Sequence, residues 1–456
     1  MKRRLSLIAI LLPACLMLSM AWVGYDINTA RELRTAWNSS AKNLSAWQSI
    51  RLYYSKEQDD YLYYEYASLM VGAGTPHITR YAPWIQLYRP VSSGTGALPY
   101  LDFHGEYPPV AFAAMLPPRL GKISPQTYHR LFGLEMALTL YAALWLALQI
   151  RRRHGDIVAW SELSLFAAGA VFLIGPLIIQ RFDLIPAVIV LCTYAAFARG
   201  YFVRAGIWTT VGAATKIYPL ILAPLPVVIA WCRNGLKSAT QVAMTILFGL
   251  ALWTIPFWIL APGGFLDMFR HHTDRGLEIE SLASLILQIW NWVHPGFLAW
   301  VSRSMSDTVV GGPSGILARA ALPLMILTLC AVYYLLWKRR MILSSHPMWL
   351  FGCVVLTLAF VIPSPIASPQ FVIWFFPLAC AAPGVWGHRL RLSYLAYAAA
   401  TQFQFDGTYH LMHRLHPLAT AALLLRWSTC ALFAWIACRA LRDLSSLELR
   451  NLTRRD

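Results

Sequence analysis

Long apolar runs recur along this chain, and the polar residues between them sort into two unlike sets that alternate. With Met1 on the inner side, the run 5–23 leads out, and a polar, aromatic segment over 24–130 follows. The run 131–150 returns, 161–179 leads out again and 184–198 comes back. The run 242–259 opens a second outer segment over 260–313, which 316–337 closes. Runs 348–362 and 371–386 form a further pair, as do 392–404 and 418–437. Runs of this length and polarity predict membrane helices. The chain therefore reads as an all-α polytopic membrane protein, a single transmembrane domain over 1–456 with a large first extracytoplasmic loop. It should hold about twelve membrane segments, and no internal repeat is visible.

Two stretches resist a simple span. Residues 207–231 carry Lys216 and Pro219 in their middle. Proline cannot continue the hydrogen-bond ladder, and a bare lysine is costly in lipid. Two half-helices meeting near Lys216 are expected, with the lysine buried in protein or beside a polar cavity. Residues 108–120 are too short to span upright and read as a re-entrant or interfacial segment on the outer side.

Composition supports the membrane reading. The chain is 58% hydrophobic and 13% charged, with mean hydropathy +0.51, whereas a soluble domain carries about 25% charged residues. The net charge of +17 gathers in short clusters that flank the apolar runs, among them Lys2-Arg3-Arg4, Arg151-Arg152-Arg153 and Lys338-Arg339-Arg340. Others are Arg389 with Arg391, and Arg439, Arg442, Arg450, Arg454 and Arg455. This is the positive-inside pattern rather than a nucleic-acid surface, and it puts both termini on the cytoplasmic side of an inner-membrane protein. The run 5–23 lacks a small-x-small cleavage site before Trp22 and reads as an uncleaved first helix. The eight cysteines lie in apolar runs or at their cytoplasmic ends, without metal-ligand spacing. Neither a disulfide framework nor a zinc site is expected.

The conspicuous polar clusters all map to the side opposite the basic loops. The first outer segment holds Asp59-Asp60, Tyr63-Tyr64, Tyr100-Leu101-Asp102 and Glu106-Tyr107-Pro108-Pro109. It could be a solvated loop with aromatic anchors. It could equally offer a carboxylate at a helix start as general base, with tyrosine rings for the apolar faces of a sugar or a polyprenyl chain. Arg181-Phe182-Asp183 lies at an outer helix boundary and could be a local salt bridge. Lys216 needs an anionic partner, which a phosphate at a half-helix end would supply. In the run from His271 to Leu282, adjacent His271 and His272 point apart on a helix and make a poor metal pair. Binding of a lipid phosphate through the histidines and Arg275 fits better, with Glu280 or Ser281 holding sugar hydroxyls. Gln370 opens an apolar helix from outside, Asp406, His410, His413 and Arg414 could complete the rim, and Arg426 lies in mid-membrane facing a buried partner or a lipid phosphate. No Walker motif, Gly-x-Gly-x-x-Gly or Asp-x-Asp pair is present, so an outer-face transferase would need a lipid-linked donor.

These motifs, in this order, resemble glycosyltransferase family 87 of the GT-C superfamily, which includes polyprenol-phosphate-mannose-dependent mannosyltransferases. The elements that match are Asp59/Asp60 with Tyr63-Tyr64, Tyr100-x-Asp102 with Glu106-Tyr107-Pro108-Pro109, Arg181-Phe182-Asp183, Ala214 to Pro219 including Lys216 and Tyr218, Arg275-Gly276 with Glu280-Ser281, and Ser368-Pro369-Gln370-Phe371. The resemblance implies a GT-C-type fold and inverting, metal-independent transfer of a hexose, with mannose expected, from a polyprenyl-phosphate donor to a lipid or glycan acceptor. No cofactor is implied. Asp59, or else Asp60, would be the base. Lys216, His271, His272 and Arg275, and more weakly Arg181, would hold the leaving phosphate. Tyr63, Tyr64, Asp102, Glu106, Tyr107, Asp183, Tyr218, Glu280, Ser281 and Gln370 would line the sugar and acceptor sites. The alternatives are a secondary transporter or lipid flippase, which should show paired repeats and midplane charges, and an outer-face polymer ligase, which would not need Asp59 or Asp60. The oligomeric state is not legible in the sequence.

Overall fold

The structure is a computed structural model that describes residues 12–18, 59–73, 85–91, 94–121, 123–153, 160–303, 306–338, 346–412 and 414–452. It is mostly helical. Among the described residues five helices are long and apolar enough to cross a membrane, namely Pro125–Arg153, Glu162–Gln180, Leu236–Leu260, Ser314–Lys338 and Pro417–Ser445. Leu184–Ala198, Leu282–Val293, Met348–Val361 and Phe371–Ala381 are shorter apolar helices.

In chain order, α1 (Asp59–Met70) and α2 (Pro109–Met115) come from the segment 24–130 that the sequence assigns to the outer side. Next come α3 (Pro125–Arg153), α4 (Trp160–Gln180) and α5 (Leu184–Ala198). The stretch expected to break at Lys216 does so: α6 (Phe202–Thr215) stops there, and α7 (Tyr218–Ile221) and α8 (Pro224–Asn234) follow. The cause is local, since Pro219 lacks an N–H and its ring would clash with the carbonyl of Thr215 four residues back. Lys216 itself is extended, at φ −153° and ψ 146°. The second outer segment follows α9 (Leu236–Leu260) and contains α10 (Pro262–Asp274) and α11 (Leu282–Val293). It also contains an antiparallel hairpin, β1 (Ala299–Arg303) with β2 (Ser306–Val310). That two-stranded hairpin is the sheet found among the described residues of an otherwise helical protein. Residues 108–120 form α2 and a short 3-10 turn over Pro117–Arg119, each opened by a proline.

The core surrounds α14 (Phe371–Ala381), every residue of which is buried. It packs against α3, α4 and α5, and also against α13 (His346–Val361) and α15 (Gly384–Gln402). The sequence suggested that this helix runs to residue 386, with an inner loop at 388–391. Instead α14 ends at Ala381, because Pro383 and Gly384 (φ +66°) break it, and α15 runs straight through the basic residues. Arg391 is buried there, donating to the carbonyls of Ala382 (2.8 Å) and Ala379 (3.3 Å) and to Glu162 Oε1 (2.7 Å). Its charge is thereby paired and its other donors cap the end of α14.

By contrast, α9 and α12 (Ser314–Lys338) face outward with almost all their apolar surface. Only 11% and 6% of their most apolar windows are buried within the protein. Water would penalise that surface heavily, whereas hydrocarbon accepts it.

α17 (Pro417–Leu452) carries Arg426, for which the sequence left two kinds of partner open. Its partner is Glu280, at 3.4 Å, with both side chains buried. The guanidinium also donates to Gln404 Oε1 (3.0 Å), in a π-helical turn over Phe403–Gly407, and to the Ala367 carbonyl (2.7 Å). Glu278 Oε2 accepts from the Ala367 N–H at 2.6 Å, so two carboxylates from one outer segment clamp the loop that leads into α14. Removing one member of a buried pair leaves the other charge uncompensated, at about 3–5 kcal/mol. Glu280→Ala is therefore expected to lower the unfolding temperature of the detergent-purified protein by several degrees. The Glu280→Gln/Arg426→Met double variant should recover most of the loss. An unchanged transition in Glu280→Ala would contradict this assignment.

Candidate functional site

Only three residues, Arg181-Phe182-Asp183, separate α4 from α5, so the chain must reverse there within one turn. α4 already kinks at Ile174, two residues before Pro176. The tight reversal buries Phe182 and Asp183. Asp183 Oδ1 accepts from Lys216 Nζ at 2.6 Å and from Trp374 Nε1 at 2.6 Å. Three polar groups from α5, the α6–α7 break and α14 therefore meet at one oxygen. The lysine also lies over the faces of Phe182 (5.1 Å) and Trp374 (5.5 Å), and Tyr218 stacks on Trp374 with centroids 4.1 Å apart. The anion that Lys216 was expected to need is thus the protein's own carboxylate. That leaves the ammonium charge compensated before any ligand arrives. The Tyr218 hydroxyl and Gln370 Oε1 are buried without a hydrogen-bond partner among the described residues.

The first outer segment closes over this knot. Tyr63 of α1 meets Phe182 and Tyr107 edge-on at 5.5 and 6.0 Å, and Tyr107 meets Phe182 at 5.1 Å. Tyr64 faces away, under the guanidinium of Arg119 (5.1 Å) and against Tyr128. Glu65 is also buried on the far flank from Tyr63. Burial raises its carboxyl to about 7, against the opposing pull of Arg119. The backbone sets Asp59 and Asp60 in the first turn of α1, one turn before Tyr63, and their side chains lie outside the described residues.

Glu106 is buried beside Tyr66. Asp102 is engaged locally, its Oδ2 accepting from the Leu98 N–H at 2.8 Å, which closes a tight turn. That turn holds Tyr100 at φ +67°, a conformation uncommon outside glycine. The ring is compensated by packing against Phe112, Phe257 and Phe265. Gly264 of α10 approaches so closely that a Cβ there would lie 1.9 Å from the Tyr100 carbonyl oxygen, so only glycine fits.

From the second outer segment, His272 donates to the Glu106 carbonyl and shares its surroundings with Arg275, Lys216 and His104. Burial first, then the cationic neighbours, push the imidazole down to about 4. At neutral pH His272 is accordingly a neutral donor, and only an arriving anion would favour its charged form. The side chain of His271 lies outside the described residues. Glu280 belongs to the Arg426 pair, and Ser281 caps α11, its Oγ accepting from the Ser284 N–H at 3.1 Å. Both are occupied away from the Asp183 knot. Arg414 follows α16 (Thr408–Met412), while the side chains of Asp406, His410 and His413 lie outside the described residues.

The structure thus gathers Tyr63, Tyr107, Asp183, Lys216, Tyr218 and His272, with Arg275 beside His272. Sequence reading missed Trp374, although it lies one helical turn after Gln370, and it missed His104 inside a motif already noted. Comparison with known protein families gives no matching family model, and comparison with curated proteins gives no match. The family resemblance therefore rests on the ordered motifs.

The depressed pKa of His272 has a sign. The unfolded imidazole takes up a proton near its ordinary value of 6.5 and the folded one only near 4. Stability is therefore full above the unfolded value and is lost as pH falls through this window. Thermal unfolding between pH 7 and pH 4 should show a smaller acid loss in His272→Gln than in wild type. Identical pH profiles for the two proteins would contradict a buried neutral His272.

Proposed function

We propose that this chain is a multi-pass membrane glycosyltransferase of the GT-C type. It moves a hexose, with mannose as the first candidate, from a polyprenyl-phosphate donor to an extracytoplasmic acceptor. The observation that carries the reading is the junction at Asp183. Motifs spread from α1 to α14 converge there, through Tyr63 on Phe182, Lys216 and Trp374 on Asp183, and His272 beside Lys216. Such a junction combines aromatic faces for a sugar with cationic and N–H donors for a phosphate. The five long apolar helices suit a donor that never leaves the bilayer.

In this mechanism a carboxylate in the first turn of α1, Asp59 or else Asp60, takes the proton from the acceptor hydroxyl. The hydroxyl oxygen forms a bond to C1 as the bond from C1 to the phosphate oxygen breaks, which inverts the anomeric centre. The phosphate leaves with the electron pair, held by Arg275 and by His272, whose protonation the incoming anion favours. Lys216 fixes the floor of the site through Asp183.

The test is transfer of radiolabelled mannose from polyprenyl-phosphate-mannose in membranes expressing wild type, Asp59→Asn, Asp60→Asn and Lys216→Met at matched levels. Loss of the base should cost about 100-fold or more, in one aspartate variant and not the other. Lys216→Met should also fall, together with a lower unfolding temperature. Activity in both aspartate variants equal to wild type would overturn the mechanism.

A further inference from the structure

The sequence assigns residues 260–313 to the outer side as one loop, yet α11 (Leu282–Val293) within it carries no charged residue and is an apolar helix. Its contacts with α17 fix how deep it lies. Where α11 begins, the Trp427 indole N–H donates to the Glu280 carbonyl at 3.1 Å, beside the Arg426–Glu280 pair. Two turns later, Thr420 Oγ1 donates to Gln288 Oε1 at 3.2 Å. Moving forward from residue 280 to 288 thus moves back along α17 from 427 to 420, so the two helices run antiparallel. Arg439, lying over the exposed ring of Trp435, marks the inner boundary of α17. Thr420 is about 28 Å along the helix from Arg439, close to the thickness of the hydrocarbon layer, and Trp427 is about 10 Å deeper than Thr420. The chain therefore reaches membrane depth at residues 276–281 and climbs out again as α11, whose length of about 18 Å is little more than half a span.

Non-helical backbone at that depth is tolerated only where protein covers it. Residues 277–281 meet this condition, being buried throughout. Ser284 Oγ and Gln288 Nε2 both donate to the Ile279 carbonyl, at 3.0 and 2.7 Å, and the N–H groups of Glu278 and Ile279 donate to the carbonyls of Pro365 (2.9 Å) and Asp307 (2.8 Å). One side of α11 is spent on these contacts. The other presents Ile286, Ile289, Trp290 and Val293, spaced i, i+3, i+4 and i+7 and exposed by 36 to 73%. Water would penalise such a stripe. α11 touches α12, whose apolar surface also faces outward. Trp290 and Trp292 lie toward the outer end, where indole rings favour the headgroup level. We propose that residues 276–293 form a re-entrant membrane segment whose Ile286 to Val293 stripe docks on phospholipid of the outer leaflet. It holds the second outer segment at a fixed depth beside α17.

Two measurements test this on the full-length protein in phosphatidylcholine nanodiscs. In the first, the nanodiscs contain a phosphatidylcholine with a diazirine in its acyl chain, and adducts are mapped by mass spectrometry after irradiation. Adducts are expected on Ile286, Ile289 or Trp290, as on α9 and α12, and none on Ser284 or Gln288. Labelling of α9 and α12 with none on 282–293 would overturn the proposal, whether water or a second copy of the chain covers the stripe. A doubled protein mass per nanodisc would identify the second copy. In the second, a carboxylate is placed at two depths. Ile286→Asp should lower the unfolding temperature by several degrees, and Val293→Asp, about 10 Å nearer the water, by much less. An Ile286→Asp protein that unfolds at the wild-type temperature, as a surface substitution in water would, would also overturn it.

Discussion

The architecture depends on one carboxylate oxygen. Asp183 Oδ1 accepts from a lysine at a broken helix and from an indole on the central buried helix, and it lies in a reversal too short to be placed anywhere else. A lysine inside an apolar bundle is tolerated only when its charge is answered. That answer ties α5, the α6–α7 break and α14 together on the side to which the sequence assigns the outer loops. The aromatic residues of the first outer segment then pack on Phe182, the neighbour of Asp183, so the cover of the site is built on the same turn.

A second ionic lock works in parallel. Glu278 accepts from the Ala367 N–H and Arg426 donates to the Ala367 carbonyl, and Glu280 neutralises Arg426. The loop that leads into α14 is thereby fixed to the second outer segment, just as Asp183 fixes the helix itself. Two buried charge networks thus set the position of Gln370 and Trp374 from opposite ends. They also engage Asp183, Glu278 and Glu280 within the protein, whereas the proposed transferase reading assigns His272 and Arg275 to the phosphate.

Much of this was legible in the sequence because its physics is local. Pro219 lacks an N–H and crowds the Thr215 carbonyl four residues back, so the break at Lys216 follows from local sequence. The apolar periods that gave the long helices are set by bilayer thickness. The end of α14 at Ala381 was not legible, because the basic residues after it resembled an inner loop. Only folding supplies Arg391 with Glu162 and the carbonyls that make its burial tolerable. The partners of Lys216 and Arg426 were hidden for the same reason, since long-range pairing leaves no periodic trace. Glu280 and Ser281 looked like ligand residues by type, yet they serve as an ion-pair partner and a helix cap. Trp374 was disguised as one more apolar residue in an apolar helix, though the N–H of a buried indole usually finds a partner.

The central claim is that the ground around Asp183 and Lys216 receives a lipid-linked phosphosugar from the membrane. The most direct measurement is an electron cryomicroscopy structure of the protein in nanodiscs loaded with polyprenyl-phosphate-mannose. The account predicts phosphate density in contact with Arg275 and His272, beside a Lys216 still bonded to Asp183, with the sugar against Tyr63 and Tyr107. A headgroup bound at the opposite face among Arg151, Arg152 and Lys338, with no density near Lys216, would contradict it.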